Sequence, residues 1–428
     1  MGLFLPSGRY RPHGRGVDVN GLRAYASVTA AYWAFMLSDG ALRMLVLLHF
    51  NGLGFTPVQL AWLFLLYEVA GMVTNLAAGW IAARFGLAVT LWAGLLLQIG
   101  ALILLAQLDP GWSIAVSVTF VMAVQGVSGV AKDLAKMSSK SAVKLLAPKG
   151  EGALFRWVAL LTGSKNAVKG VGFFLGAALL AVAGFTWAVW GMAAVLAVIL
   201  LAVWAFLPAG LPLGNKTAKF SSIWSHDIRI NRLSLARLFL FGARDVWFVV
   251  GVPVYFQALL SDGTPGGARW AFFLIGGFMA LWIIGYGAVQ SAAPRILSAT
   301  GPQTEVVTIA VRWAAYLVPI PFILALAAWM SGGPSVALGL VLGLGLLAFG
   351  YVFAINSALH SYLILAFSKA ERVSQDVGFY YMANAAGRLA GTLLSGLSYQ
   401  IGGLSLCLAT AGCMATLNWL AVQRLAKP

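Results

Sequence analysis

Charge is scarce in this sequence. Only 9% of its 428 residues are Asp, Glu, Lys or Arg, and the acids number 12 against 28 bases. Cysteine is scarcer still. Cys407 and Cys413 stand six apart in the last apolar run, which fits neither a metal knuckle nor a CxxC redox pair. The four histidines are scattered and form no HExxH, so no metal site is expected. A GxSxG elbow, a P-loop and a paired-acid metal motif are missing too, which argues against an enzyme, including one acting on a lipid phosphate within the membrane. No catalytic residue and no cofactor is expected.

What fills the chain instead is apolar. Hydrophobic residues make up 61% of it, and the mean hydropathy is +0.89. A helix needs about 20 mostly apolar residues to cross a bilayer, and runs of that length recur along the whole chain. This predicts an all-α integral membrane protein. Twelve segments are expected, at 23–50, 57–83, 87–107, 112–146, 152–184, 186–208, 233–260, 267–296, 303–330, 335–367, 372–402 and 404–424.

The segments divide six and six. Residues 1–22 read as a basic cytoplasmic tail carrying Arg9, Arg11 and Arg15, not as a cleaved signal. Residues 23–208 form one half, the polar stretch 209–232 a cytoplasmic linker, and 233–428 the other half. The net charge of +16 raises nucleic acid as a partner, but its distribution fits topology better. With the N-terminus inside, the inward loops and C-terminal tail collect Arg84, Lys149, Lys216, Lys219, Arg229, Arg232, Arg295, Lys369, Arg372, Arg424 and Lys427, and the outward loops only Arg269. Both termini are expected in the cytoplasm and the chain in the inner membrane, with no nucleic-acid partner.

The halves share faint motifs. "NAVKG" (166–170) in the fifth segment resembles "NAAGR" (384–388) in the eleventh, and "SDGALR" (38–43) in the first resembles "FGARD" (241–245) in the seventh. Six plus six helices with such a repeat resemble the major facilitator superfamily, two helical bundles around a central cavity. The turn "GWIAARFG" (79–86) resembles that superfamily's loop motif, with Ala83 where an acid is usual.

Charges inside crossing helices cost about 2.5–3.5 kcal/mol each on insertion scales and mark a pathway. Here they are Asp39, Arg43, Glu68, Lys132, Asp133, Lys165, Lys169, Arg244, Asp245, Arg312 and Arg388. In "AKDLAKMSSKSAVK" (131–144) lysines recur every four residues, so they share one broad helix face. Lys132, with Lys136 a turn on, reads as cavity-lining. Lys140 and Lys144 read as anchors at the cytoplasmic surface or as a ramp for anions. Asp39 and Arg43 have the spacing of a helical ion pair, Arg244 lacks an obvious local partner, and Glu68 has none at i±3 or i±4. Six basic candidates (Arg43, Lys132, Lys165, Lys169, Arg244 and Arg388) against four acids predict a polyanionic ligand with phosphate-like groups. Asn166, Asn356 and His360 are expected to add neutral contacts, although Asn356 and His360 could equally tie helices together.

Four blocks carry a closer resemblance. "YWAFMLSDGALRMLVLLHF" (32–50), "GVAKDLAKMSSKSAVKLL" (129–146), "LTGSKNAVKGVGFFLG" (161–176) and "ARLFLFGARDVWFVV" (236–250) resemble the ArsJ family of organoarsenical efflux permeases, from about residue 28 to the last helix. The resemblance implies export of 1-arseno-3-phosphoglycerate, made by a partner glyceraldehyde-3-phosphate dehydrogenase from arsenate, and hence arsenate resistance. Alternating access by a monomer is expected, as a proton antiporter with Glu68, Asp39, Asp133 or Asp245 as the titrating acid. An organophosphate/phosphate exchanger of the same fold is the alternative.

Overall fold

The computed structural model describes residues 19–146, 153–206, 227–297, 303–368 and 373–426. Among these residues the regular structure is entirely helical. Ten stretches are long and apolar enough to cross a membrane. Two of them, Ser164–Phe206 with 43 residues and Asp376–Gln423 with 48, would extend about 65 and 70 Å at 1.5 Å per residue. That is about twice a bilayer's hydrocarbon thickness, so each holds two crossings. The turns fall at Gly184 (φ 75°) and at Gly402–Gly403, the latter with φ 62°. Only glycine enters that backbone region without strain. The total is the expected twelve.

The first crossing is Val19–Gly52. The second opens as Pro57–Leu63 and continues into Leu65–Leu105, which turns at Gly86 (φ 76°) to give the third. Thr56 and Gln59 close a reciprocal capping box at its start, with Pro57 in the first turn. The fourth is Ile114–Leu146, and Ala153–Phe206 holds the fifth and sixth. The seventh comprises Ile228–Val246, a five-residue π turn at Trp247–Gly251, and Val252–Leu260. It begins five residues before the expected 233, because Asp227 caps the Arg229 amide. The eighth is Pro265–Leu297, and the ninth is Gln303–Leu317 followed by Pro319–Ser331. Val336–Phe367 is the tenth, and Val373–Gln423 holds the last two. The tail up to residue 18, linker residues 209–226, Lys149, Lys369, Arg372, Lys427 and the side chains of Lys140 and Lys144 lie outside the described residues.

Within a bilayer, helices gain nothing from hiding apolar surface from lipid, so close packing at small residues draws them together. A side chain on Gly172 would collide with the Leu37 carbonyl, and one on Gly176 with that of Ala41. This seam joins the first and fifth crossings. The second half repeats it: Gly387 abuts the Leu238 carbonyl, and a Cβ on Gly391 would lie 2.8 Å from the Gly242 carbonyl. Leu37 and Ala41 therefore correspond to Leu238 and Gly242, and Gly172 and Gly176 to Gly387 and Gly391. This register corrects the one read from the sequence motifs. It makes Arg43 the counterpart of Arg244, and Lys169 the counterpart of Asn384.

The halves meet along the fifth and eighth crossings and along the second and eleventh. A Cβ on Gly170 would stand 2.9 Å from the Ala280 carbonyl, and one on Gly396 2.5 Å from that of Pro57. At the end of the bundle carrying loops 53–56 and 261–264, Asn51 Nδ2 donates to Gln257 Oε1 at 2.6 Å and the Val58 amide to Gln400 Oε1 at 3.3 Å. That end is tied across the halves.

Candidate functional site

The charged residues of the first, second, fourth, fifth and eleventh crossings converge. The Asp39 carboxylate accepts from Lys169 Nζ at 2.9 Å and from the Tyr67 hydroxyl at 2.5 Å. One turn along, Arg43 Nη1 donates to Glu68 Oε1 at 3.1 Å, and Arg388 Nη2 donates to the other oxygen of Glu68. Asp133 accepts from Thr74 Oγ1 at 2.6 Å, Asn75 Nδ2 at 3.5 Å and Lys136 Nζ at 3.1 Å. Lys136 also reaches Asn75 Oδ1 at 2.6 Å. Gly71 leaves room for this gathering: a Cβ there would lie 3.7 Å from Asp133 Oδ2 and 3.8 Å from Arg388 Nη2.

Lys132 is the exception among these cations. Its ammonium sits 4.0 Å from the centre of the Tyr67 ring, a cation–π contact. Among the described residues it has no carboxylate within salt-bridge distance, although Asp133 is its chain neighbour. Both Asp133 oxygens are taken by Thr74, Asn75 and Lys136.

In the second half, Arg244 bonds Asp245 Oδ1 at 2.5 Å, with its guanidinium 4.8 Å from the Phe241 ring centre. Arg237 is buried beside it without a carboxylate partner among the described residues. It donates to Asn384 Oδ1 at 2.9 Å and to the Ser357 carbonyl and hydroxyl at 3.1 Å. Beyond Asp245 the π turn frees backbone groups that other crossings satisfy. The Val250 and Gly251 amides donate to Ser395 Oγ at 3.1 and 3.2 Å, and Cys407 Sγ donates to the Val246 carbonyl at 3.0 Å.

The ion pairs share one orientation. The carboxylates of Asp39, Glu68, Asp133 and Asp245 are 0–2% exposed, whereas the side chains of Arg43, Lys136, Lys169, Arg244 and Arg388 retain 12–20%. The acids stand behind and the cations in front. With Lys132 and Arg237, seven cations stand against four carboxylates, an excess of three positive charges in a desolvated region. Such a surface is complementary to an anion that brings several acceptor oxygens.

Several expectations need correcting. Asp39 and Arg43 do not pair with each other; each takes a partner from another crossing. Glu68 has no partner at i±3 or i±4, as expected, but is not isolated, since it holds two arginines of other crossings. Arg244 does have a local partner, because its long side chain folds back to the adjacent Asp245. Neither Asn356 nor His360 bonds a member of the ion pairs among the described residues. Asn356 is fully buried, and its amide donates to the Trp313 carbonyl at 2.9 Å and to that of Val352 at 3.0 Å, tying the tenth crossing to the ninth. His360 is fully buried with both ring nitrogens unpartnered among the described residues. Replacing Asn356 by leucine is accordingly expected to cost about 1–3 kcal/mol of stability by leaving carbonyls unpaired, read as a lower unfolding temperature with unchanged ligand affinity.

Of the remaining candidates, Asn166 donates to Gln290 Oε1 at 3.3 Å across the halves, and Lys165 is half-buried one turn before Lys169. Sequence reasoning missed Tyr67, Thr74 and Asn75. Their signal is positional: with Glu68 and Gly71 they recur every three to four residues along one face of the second crossing. Among the described residues no three His, Cys, Asp or Glu side chains gather as a metal site.

No family model matches the chain, and no curated protein matches it significantly. Solved transporters share its fold over nearly their whole lengths. A POT family transporter in complex with a thioalcohol-conjugated peptide superposes with a TM-score of 0.75 at 13% identity, covering 94% of this chain and 96% of its own. A bacterial homologue of the iron transporter ferroportin, in an inward-facing state, gives 0.69 at 14%, covering 95% and 99%. The nucleoside transporter NupG gives 0.67 at 14%, also covering 95% and 99%. The chain has the major facilitator superfamily fold, with twelve crossings in two six-helix halves.

Proposed function

We propose that this protein exports an organic polyanion carrying phosphate-like heads, namely 1-arseno-3-phosphoglycerate, from the cytoplasm across the inner membrane by alternating access. The observation that carries the reading is the orientation of the ion pairs, with every carboxylate buried behind a partly exposed cation. The resemblance of residues 32–50, 129–146, 161–176 and 236–250 to organoarsenical permeases supplies the identity of the anion. With phosphate-like ionisation that molecule bears about three to four negative charges near neutral pH. Arg43 and Arg244, at equivalent places in the two halves, are suited to one oxyanion head each. Lys132 and Lys169 add point charge beside Arg43, and Arg388 reaches across from the eleventh crossing.

Both termini on the cytoplasmic side, the orientation that the loop charges favour, would put the tied end of the bundle outside. A membrane potential of 100 mV contributes about 2.3 kcal/mol per charge, so about 7 kcal/mol favours exit of a trianion. Proton exchange at Asp39, Glu68, Asp133 or Asp245 requires an ion pair to open first. Of these Glu68 is the one held by two arginines that the anion would share.

The test is dehydrogenase-dependent arsenic efflux from cells making the intact permease or Lys132→Ala at matched membrane expression. A charge-assisted hydrogen bond contributes about 1.5–3 kcal/mol, so the variant is expected to lose about 10- to 100-fold in efflux at low substrate. Unchanged efflux would remove Lys132 from the site. If the intact permease gives no dehydrogenase-dependent efflux, the organoarsenical assignment fails and organophosphate exchange takes its place.

A further inference from the structure

We propose that Glu68 is a built-in competitor for the transported anion and sets the minimum charge a ligand must bring. The inference rests on the reading of this site as an anion carrier.

Glu68 is fully buried and spends one oxygen on Arg43 of the first crossing and the other on Arg388 of the eleventh. Among the described residues this is the one carboxylate held by two guanidinium groups, and Glu68–Arg388 is the one ion pair that joins the two halves. The other charged or titratable groups in its surroundings include Tyr67 on its own helix, Lys132 and Asp133 on the fourth crossing and, around its two arginines, Lys169 of the fifth and Asp245 of the seventh. Asp133 is bonded to Lys136, and Tyr67 donates to Asp39. The side chains of Arg43 and Arg388 remain 13% and 18% exposed, whereas that of Glu68 is fully buried. A ligand can therefore approach the same two guanidiniums that Glu68 already holds.

A protein carboxylate in that position behaves as a tethered ligand. An incoming monocarboxylate replaces one single charge by an equivalent one and loses its own freedom of motion in doing so, so it gains nothing. A phosphoryl-type dianion brings twice the charge and three acceptor oxygens. It can engage both arginine forks and the ammonium of Lys132, which has no carboxylate of its own. Selection among anions then comes from repulsion and competition built into the empty site as much as from attraction. The class accepted is a tetrahedral oxyanion ester carrying two or more charges on one head, and the class rejected is the same carbon skeleton bearing only a carboxylate.

The experiment is equilibrium binding to the purified full-length protein in nanodiscs, with radiolabelled 3-phosphoglycerate as probe and glycerate as competitor. For the native protein, glycerate is expected to displace the probe only at concentrations at least 100-fold above those of unlabelled 3-phosphoglycerate. Glu68→Gln removes the competing charge, and the glycerate-to-phosphoglycerate ratio is expected to fall at least tenfold, with affinity for the phosphorylated probe kept or raised. A purely structural Glu68 predicts the opposite pattern, weaker binding of both anions at an unchanged ratio, and that result overturns the inference. Glu68→Asp, one methylene shorter, cannot span both arginines and should lower the ratio part of the way. It decides the question by the same criterion if Glu68→Gln does not fold. A native protein that binds no 3-phosphoglycerate at all would instead defeat the anion-carrier reading, and this inference with it.

Discussion

Removing Arg244 is expected to abolish transport and to destabilise the protein, and the two losses should separate when Asp245 is neutralised as well. Asp245 is buried, and its carboxylate bonds Arg244 at 2.5 Å. Arg244→Ala strands that carboxylate, and an uncompensated buried charge costs about 3–5 kcal/mol. Arg244→Ala with Asp245→Asn removes the stranded charge, so most of the unfolding temperature should return while transport stays near background. Arg43→Ala, its counterpart in the first half, should behave differently. Glu68 keeps Arg388 when Arg43 is lost, so the stability penalty is expected to be smaller while the transport defect remains about 10- to 100-fold, the worth of a charge-assisted contact. Lysine at either position restores the charge but not the fork that grips two oxygens, so partial rescue at best is expected. Apparent affinity and unfolding temperature measured side by side on these five variants check the argument. Recovery of transport in the Arg244→Ala, Asp245→Asn protein would show that Arg244 serves only to neutralise its neighbour.

Why the sequence revealed the charges but not their pairing has a physical reason. Length and apolarity fix where helices cross, because backbone groups in lipid must be satisfied within each helix, and among the described residues a crossing is found at each of the twelve expected segments. Separation along one helix says which residues share a face. It does not say which face of another helix will be brought against it. Asp39 had Arg43 four residues away, the spacing of a helical pair, yet it bonds Lys169. Gly40 and Gly172 let the first and fifth crossings approach until a Cβ on Gly40 would stand 2.6 Å from the Lys169 carbonyl, and the ammonium arrives with the backbone. Glu68 looked isolated because both its partners belong to other crossings, one of them 320 residues away. The internal repeat was visible as motifs but misregistered, since short polar words drift while glycine contacts fix the alignment. In the sequence Tyr67 is one more aromatic in an apolar run; only its position between Lys132 and Asp39 gives it a role.

The glycine seams bear the heaviest structural demand and give the last prediction. Gly172 and Gly176, and in the other half Gly387 and Gly391, are four residues apart on helices that touch a neighbouring backbone. A methyl group at Gly176 or Gly387 would collide with the carbonyl of Ala41 or Leu238. Neither carbonyl can yield without moving its helix, unlike the end of a flexible side chain. Overpacking a core costs about 1–3 kcal/mol, and a clash against backbone belongs at the upper end of that range. Gly176→Val and Gly387→Val are therefore expected to lose most of the folded, monodisperse protein in a detergent thermal-stability assay. Gly191→Ala is the control: a Cβ there meets nothing within 4 Å, and alanine favours helix over glycine by about 0.5–1 kcal/mol, so it should be neutral or slightly stabilising. Gly172→Ala adds a functional reading. Forcing the first crossing away from the fifth lengthens the 2.9 Å contact between Asp39 and Lys169, so transport should fall even at temperatures where the variant stays folded. If Gly172→Ala lost stability but transported normally when folded, the seam would hold the helices together without setting the geometry of the site.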